Sequence, residues 1–305
     1  MKKILVLLLT MALLSGCAAP AGERTGYTFT DDLGREICVS STDRVAALLG
    51  SFADIWYLAG GTVIASADDA WEDFDLPMPD DAVNLGNTKK LSLEGLLAAD
   101  PDLVLASTNT PQHLEFQPML EKAGITVAYF DVSDFSDYLR RLKICTELTG
   151  QPSRYETYGT AVQERIDATL QRCAGREPQT VLVMRASAAS IRAKNSGGTV
   201  LGTMLRDLGC VNIADSDAGL LENLSVESIL LQNPDRIFFI QSGSDMDAVK
   251  ANVEAMFREN PLWQELDAVR EGRVHFMEKR LYNLKPNALW ADAYGELEAL
   301  LYGQE

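Results

Sequence analysis

The sequence predicts an α/β fold of two similar lobes, each built on a mainly parallel sheet, joined by one long bridging α-helix. Three observations support this prediction. An 11-residue segment recurs 133 positions further along the chain, and short apolar runs alternate with helical segments throughout. Between the two copies lies one uninterrupted helical pattern. Alternation of strands and helices is typical of βα units, whose strands pair in parallel.

The internal repeat comprises residues 92–102 (SLEGLLAADPD) and 225–235 (SVESILLQNPD), which align without a gap. In each copy the leading serine can cap a helix, and the glutamate two residues later stands in the first turn, where the helix dipole favours a negative charge. The proline cannot continue the helix and makes the preceding residue extended. An apolar run follows each copy, at 103–106 and 236–240. Each lobe therefore contains a short capped helix followed by a buried strand.

Further strands are predicted at 45–49, 62–65 and 125–130 in the first lobe and at 181–184 in the second. The segment 152–175 is rich in good helix formers and is flanked by glycine. Its apolar residues recur at helical spacing: Tyr155, Tyr158, Val162, Ile166 and Leu170. We therefore predict an N-terminal lobe over 27–151, the bridging helix over 152–175 and a C-terminal lobe over 176–305.

The N-terminus indicates export. A short cationic start precedes an apolar stretch at 4–14, which is too short to cross a membrane, since a spanning helix needs about 20 residues. Residues 1–16 fit a signal peptide. Cys17, after Leu-Ser-Gly, resembles the lipidated cysteine of a bacterial lipobox; the alternative is an ordinary signal peptide with an incidental cysteine. We expect a lipidated tether at 17–26 that holds the protein on the outer face of the cell membrane through its lipid anchor alone.

The composition limits the possible partners and chemistry. Loss of 1–16 changes the formal net charge from −17 to −19, and such an acidic chain lacks the basic surface that nucleic-acid binding needs.

Only two histidines exist, His113 and His275, so no resident metal or other cofactor is expected. The four cysteines after Cys17 form no C-x-x-C motif and are expected mainly as small buried apolar residues, with disulfides left open. The G-x-S-x-G, P-loop and H-E-x-x-H motifs are absent, so no enzyme is predicted, although an acid–base pair stays open.

Four segments carry a resemblance to a known family: 30–36 (TDDLGRE), 43–45 (DRV), 93–104 (LEGLLAADPDLV) and 266–274 (LDAVREGRV). In this order and spacing the chain resembles the substrate-binding proteins of ABC importers that handle iron–siderophore complexes, haem and cobalamin, of the class III periplasmic-binding-protein-like type. The resemblance implies a ligand held between the lobes, with an ABC permease and its ATPase as partners. It also implies that Glu94 and Glu227 dock onto arginines of the permease. The alternative is that both carboxylates only stabilise their helices.

Candidate ligand-binding residues follow from the position of strand ends, because ligands of open α/β sheets lie beyond the carboxyl ends of the strands. Cations near such a site would attract an anionic ligand, and aromatic rings would offer flat apolar faces. The candidates are Trp71, Arg185, Arg192, Lys194, Tyr282 and Lys285. For Arg185 the alternative is a pair with a neighbouring acid, and for Arg192 and Lys194 a solvated loop. Trp290 and His275 are predicted as packed residues.

The favoured hypothesis is a monomeric protein that captures a ferric siderophore or a similar metal chelate and delivers it to an ABC permease. The ligand itself would supply the iron or cobalt. Binding of haem or cobalamin is the alternative within the same class. An extracellular enzyme, or a surface sensor or adhesin without transport, is the alternative from other classes.

Overall fold

The computed structural model describes residues 26–243 and 245–303. The predicted signal peptide and Cys17 lie outside the described residues. Among the described residues, no helix is both long enough and apolar enough to cross a membrane. The chain opens with an antiparallel hairpin, β1 (Tyr27–Thr30) and β2 (Glu36–Val39). Asp31 fixes its turn by accepting hydrogen bonds from the backbone N–H groups of Leu33 (3.1 Å) and Arg35 (3.0 Å).

The first lobe is built on a five-stranded parallel sheet in the order β5-β4-β3-β6-β7. Its strands are β3 (Val45–Ala47), β4 (Ala65–Ser66), β5 (Val83–Asn84), β6 (Leu103–Ser107) and β7 (Thr126–Phe130). Its helices are α1 (Gly50–Leu58), α2 (Asp69–Glu72), α3 (Leu93–Ala99), α4 (Pro111–Lys122) and α5 (Phe135–Leu148). Strands β3, β4, β6 and β7 are almost entirely buried, as parallel strands covered by helices are, whereas the edge strand β5 is partly exposed.

The second lobe has a sheet of the same size in the order β10-β8-β11-β12, with β9 antiparallel to β8. Its strands are β8 (Thr180–Ala186), β9 (Ile191–Ala193), β10 (Val211–Asn212), β11 (Arg236–Gln241) and β12 (Val274–Met277). Its helices are α8 (Val200–Asp207), α9 (Ala218–Glu222), α10 (Val226–Gln232), α11 (Met246–Glu259), α12 (Asp267–Arg270), α13 (Lys279–Tyr282) and α14 (Trp290–Tyr302). The predicted α/β fold with two similar, mainly parallel lobes is confirmed.

The bridging helix runs from Ser153 to Cys173 in three continuous parts: α6 (Ser153–Tyr155), one π turn (Glu156–Thr160) and α7 (Ala161–Cys173). Val162 and Ile166 are buried on the side that packs against the core. Along this helix lies α14, which packs on α7. The helix formers and the apolar spacing predict the helix; the π turn has no signal in the sequence.

The two repeat copies adopt the same local structure. The hydroxyl oxygen of Ser92 accepts a hydrogen bond from the backbone N–H of Gly95 (3.0 Å), and that of Ser225 accepts one from Ser228 (3.2 Å). In both copies the residue between the helix end and the proline is a C-cap with left-handed backbone: Asp100 (φ 49°) and Asn233 (φ 40°). The aspartate after the proline then tethers the strand next to it: Asp102 accepts from the N–H of Arg44 (3.1 Å) and Asp235 from that of Thr180 (2.7 Å).

One apolar core cluster includes residues of both lobes and of the bridging helix. Trp290, predicted as a packed residue, is 0% exposed, and its ring lies 6.0 Å from that of Phe135 in an edge-on contact. Cys145, Cys173 and Cys210 are buried and Cys38 is partly buried, all as free thiols. The last helix of the chain therefore completes a core to which the first lobe contributes.

The candidate ligand-binding cleft

A cavity of about 410 Å³ lies between the lobes, beyond the carboxyl ends of β3, β4 and β11. We call it the cleft cavity. The first lobe lines it with Leu49, Ser51, Asp68, Asp69, Glu72, Asp73, Phe74, Asn87, Thr88 and Lys89, and the second lobe with Ser242, Gly243, Lys279, Asn283, Leu284 and Lys285. A larger groove of about 660 Å³ lies where β8, β11 and β12 begin, and its walls come mainly from the second lobe. The cleft cavity is the better candidate because both lobes line it at the strand ends where such folds bind ligands.

Four cations of the second lobe belong to the lining of the cleft cavity or to the carboxyl end of β8 and the adjoining β9: Lys285 lines the cavity, and Arg185, Arg192 and Lys194 stand on or directly after these strands. We call them the cationic group. Arg185 stands near the end of β8, and Arg192 is its register neighbour on β9. Burial lowers the pKa of Lys194, and the nearby charges of Arg185 and Arg192 lower it further. Burial also lowers the pKa of Lys285, to which Arg185 adds, while Asp131 and Asp137 oppose the shift. The charge of Arg185 thus acts on both Lys194 and Lys285, and that of Arg192 acts on Lys194.

Within the described residues, no side chain of the cationic group forms an ion pair or a hydrogen bond. The Nε atom of Arg185 is buried without any partner, and burial lowers the pKa of its guanidinium. Burying a charge without a partner costs free energy of folding. The chain has 44 acidic residues, yet none of them forms an ion pair with these cations in the described structure. An anionic ligand would supply the acceptors that these groups lack.

The first-lobe wall of the cleft cavity is acidic. Asp69 is 7% exposed and accepts a hydrogen bond from the N–H of Gly50 (2.8 Å), at the start of α1. Burial raises the pKa of Asp69 to about 6, and the neighbouring carboxylates of Asp73 and Asp68 contribute to the shift. Glu72 is exposed and has no hydrogen-bond partner in the described part of the chain.

Polar contacts join the lobes at one side of the cleft cavity; we call them the interlobe contacts. The ammonium of Lys279 pairs with Asp73 (2.6 Å), and the guanidinium of Arg280 pairs with Asp54 (2.8 Å). The amide nitrogen of Asn287 donates to the carbonyl oxygen of Ser51 (2.9 Å) and to Asp54 (2.9 Å). These contacts hold the segment 279–287 of the second lobe against α1 and α2 of the first.

A match to a family model identifies the family to which this chain belongs. The family model described as "Periplasmic binding protein" matches residues 45–281, which is most of the chain. The chain belongs to the periplasmic binding protein family. The resemblance predicted from the four sequence segments is thereby confirmed.

Individual proteins similar to this periplasmic binding protein agree with that assignment. The putative ABC transporter substrate-binding lipoprotein YhfQ of Bacillus subtilis (strain 168) is 25% identical over 308 residues, which cover 95% of this chain and 94% of that protein. Among solved structures, the siderophore-binding protein BauB, bound to two molecules of acinetobactin and ferric iron, superposes with a TM-score of 0.72 at 17% identity, covering 92% and 99% of the two chains. The S. aureus protein IsdE, complexed with heme, gives 0.67 at 15% identity, covering 85% and 98%. At these identities the structures show a shared fold.

Of the six predicted ligand-binding residues of this periplasmic binding protein, Lys285 lines the cleft cavity and the other five do not. Arg185, Arg192 and Lys194 belong to the cationic group described above, and the remaining two pack elsewhere. Tyr282 is 1% exposed, and its hydroxyl donates to the carbonyl oxygen of Ala293 (3.2 Å) or to Glu296 (3.0 Å). It has no surface to offer a ligand, so we remove it from the proposed contact set. Trp71 is partly buried and packs against the core, while its neighbour Glu72 lines the cavity. The cavity lining contains the carboxylates of the acidic wall and neither of these aromatic residues. Sequence analysis did not single out these carboxylates.

The two histidines lie in packed surroundings. His275 stacks on Phe238 with ring centroids 5.0 Å apart, as predicted for a packed residue. His113 is fully buried on α4, and its Nδ1 accepts a hydrogen bond from the N–H of Ser107 (3.0 Å). Across residues 26–243 and 245–303, no cluster of three or more His, Cys, Asp or Glu side chains could hold a metal ion.

Glu94 and Glu227 are both exposed in the first turns of α3 and α10. A crossover helix runs antiparallel to the strands it connects, so its first turn lies at the carboxyl edge of the sheet. Both glutamates therefore stand at the edge of their lobe where the cleft opens. Glu227 accepts a hydrogen bond from the hydroxyl of Ser225 (3.0 Å).

Proposed function

We propose that this protein binds a ferric siderophore or a similar oxygen-rich metal chelate in the cleft cavity and delivers it to the permease of an ABC importer. The cationic group carries the proposal, because none of its four cations forms an ion pair within the described residues of an acidic chain, and such cations match an anionic ligand. The metal arrives as part of the ligand, as cargo. The ferric complex bound by the similar protein BauB supports this ligand class.

Fluorescence titration of the soluble chain starting at Ala18 tests the ligand class. The panel contains ferric catecholate, hydroxamate and citrate complexes, haem and cyanocobalamin. Trp71 stands beside the acidic wall and reports binding, whereas Trp56, Trp263 and Trp290 are buried. We expect saturable quenching by a ferric chelate. Quenching by haem or cobalamin alone would show that the ligand belongs to the alternative class. The absence of quenching by every compound would refute chelate capture.

The cleft cavity suits a hydrophilic chelate better than a flat macrocycle. Among its lining residues Phe74 is the one aromatic, and seven are charged: Asp68, Asp69, Glu72, Asp73, Lys89, Lys279 and Lys285. Haem and cobalamin need extensive apolar contact, which Tyr282 and Trp290 cannot provide because both are buried. These features favour the chelate over haem or cobalamin.

Replacement of one member of the cationic group tests its role. Arg185→Gln is expected to weaken binding of the ferric chelate about tenfold, since it removes one charge from a partly buried site. Arg258→Gln is the matched control, because Arg258 is exposed on α11 and has no ion pair in the described residues. Equal affinities for the two variants in the same titration would contradict the assignment of the cationic group.

Delivery depends in this proposal on Glu94 and Glu227, which would pair with cations of the permease. The double reversal Glu94→Lys/Glu227→Lys is expected to abolish cellular uptake of the labelled ferric chelate without changing its affinity in solution. Glu115→Lys/Glu254→Lys changes the same charge on exposed positions of α4 and α11, one in each lobe. A loss of uptake in this control equal to that of the docking variant would show a general charge effect and refute the docking role.

We propose further that the protein is exported, carries its lipid on Cys17 and acts as a monomer on the outer face of the cell membrane. The similar lipoprotein YhfQ supports this location. Wild-type protein is expected to incorporate a labelled fatty acid, and Cys17→Ala is expected not to. Equal incorporation by the variant would contradict the lipid anchor on Cys17.

A further inference from the structure

The two walls of the cleft cavity carry opposite charge. The first-lobe wall has four carboxylates, Asp68, Asp69, Glu72 and Asp73, against one lysine, Lys89. On the second-lobe wall the charged lining residues are Lys279 and Lys285, and the charge of Arg185 also acts on Lys285. The division is a property of this chain and was not visible in the sequence, because the acidic residues belong to α2 and the residues on either side of it, far from the cations along the chain.

Part of the charge on each wall is free to meet a ligand. Asp73 is satisfied by Lys279, and Asp69 by the N–H of Gly50. Asp68 has one long contact, 3.5 Å from the amide of Asn87, and Glu72 has no partner among the described residues. Lys285 on the facing wall likewise forms no ion pair in the described chain. Asp68, Glu72, Lys89 and Lys285 are thus the lining charges without an ion pair in the described chain, and the two carboxylates keep the first-lobe wall net negative beside Lys89.

A ligand with negative charge on every face would gain from Lys285 and Arg185 but would be repelled by Asp68 and Glu72. At a given distance, opposite charges across an interface strengthen binding and like charges weaken it by comparable interaction energies. We infer that the ligand is zwitterionic: its metal-bound oxygen atoms face the second lobe, and an ammonium or similar cationic group faces Asp68 and Glu72. This inference rests on the proposed function and narrows its ligand class.

The test compares three ferric complexes. Ferrioxamine B carries one free ammonium group, N-acetylferrioxamine B differs by the loss of that charge, and ferric citrate offers carboxylates without a cation. We expect the wild-type protein to bind ferrioxamine B at least about tenfold more tightly than its acetylated form. In Asp68→Asn/Glu72→Gln this preference should disappear, and affinity for ferric citrate should rise severalfold as the repulsion is removed.

Asp80→Asn/Asp81→Asn is the matched control, since it removes two exposed carboxylates of the same lobe that do not line the cavity. The inference is overturned if neutral and cationic hydroxamates bind equally, or if the cavity variant changes ferric citrate binding no more than the control does. The citrate result decides the matter even when neither hydroxamate binds. Absence of binding by every ferric chelate would instead refute the proposed function itself.

Discussion

At the scale of single residues, Asp69 couples the cleft to the stability of the protein. Its carboxylate holds the first N–H of α1 while burial and the nearby Asp73 and Asp68 raise its pKa to about 6. An unfolded aspartate titrates near about 3.9. Because the pKa is higher in the folded state, ionisation of Asp69 lowers the free energy of unfolding. The full loss is present above about pH 6, and it disappears as the pH falls toward about 4.

Asp69→Asn removes this titration while keeping an oxygen acceptor for the N–H of Gly50. We expect it to raise the free energy of unfolding at pH 8 by about 1–3 kcal/mol and to leave it nearly unchanged at pH 4. Urea unfolding at the two pH values measures the difference. Asp43→Asn, at an exposed position, serves as the control, and an equal pH dependence in both variants would contradict the assignment.

At the scale of elements, the repeated cap–helix–proline unit ends differently in its two copies. Asp100 has left-handed backbone, is exposed and makes no side-chain hydrogen bond in the described chain. Asn233 has the same backbone, but its side chain donates to Asp267 (2.7 Å) and accepts the backbone N–H of Asp267 (3.1 Å) at the start of α12. One copy therefore contains a local cap, and the other also anchors a second helix.

Glycine substitutions at these equivalent positions should have opposite effects. Asp100→Gly is expected to stabilise the protein by about 0.5 kcal/mol, because glycine adopts positive φ freely and a negative charge leaves the helix C-terminus. Asn233→Gly relieves the same backbone but loses two hydrogen bonds, so we expect a net loss of about 1 kcal/mol. Thermal and urea unfolding of the pair, each compared with wild type, measures both signs; a shared sign would contradict this account.

The repeat also shows which parts of this structure a sequence can predict. Its serine caps and proline stops act within a few residues, so both helices and the strands after them follow from local patterns. Arg185 and its neighbours were proposed as ligand-binding residues because the strand ends converge on one edge of a sheet, and their role in binding stays a prediction. Tyr282 was not, because the irregular segment 279–289 has no periodicity, and the direction of its side chains depends on packing against α14 and α1.

At the scale of the whole molecule, the interlobe contacts make the two lobes one stability unit. Arg280 pairs with Asp54 across the lobes, and both side chains are mostly buried, with the guanidinium 4.1 Å above the ring of Phe74. Burial raises the pKa of Asp54, and Arg280 opposes that shift. The positive charge of Arg280 thus offsets the desolvation cost of the Asp54 carboxylate, which is mostly shielded from water.

Arg280→Met keeps the apolar stem and removes the charge. We expect it to lower the free energy of unfolding by about 2–4 kcal/mol, because Asp54 is left buried without its cation. Arg165→Met breaks an ion pair with Asp292 whose side chains are both about half exposed, and it should cost no more than about 0.5 kcal/mol. Equilibrium urea unfolding measures both; equal losses would show that burial of the interlobe pair is unimportant.

The contact between Phe135 and Trp290 has a consequence for how the polypeptide reaches its native state. The core of the first lobe includes side chains from the last helix, more than a hundred residues further along the chain. A nascent chain that ends at Cys173 has every strand of the first sheet, yet Phe135 and Ile166 remain without their partners. Complete packing of the first-lobe core therefore needs the C-terminal helix. A premature stop near residue 285 would expose apolar surface in both halves and make the truncated product a target for proteolysis.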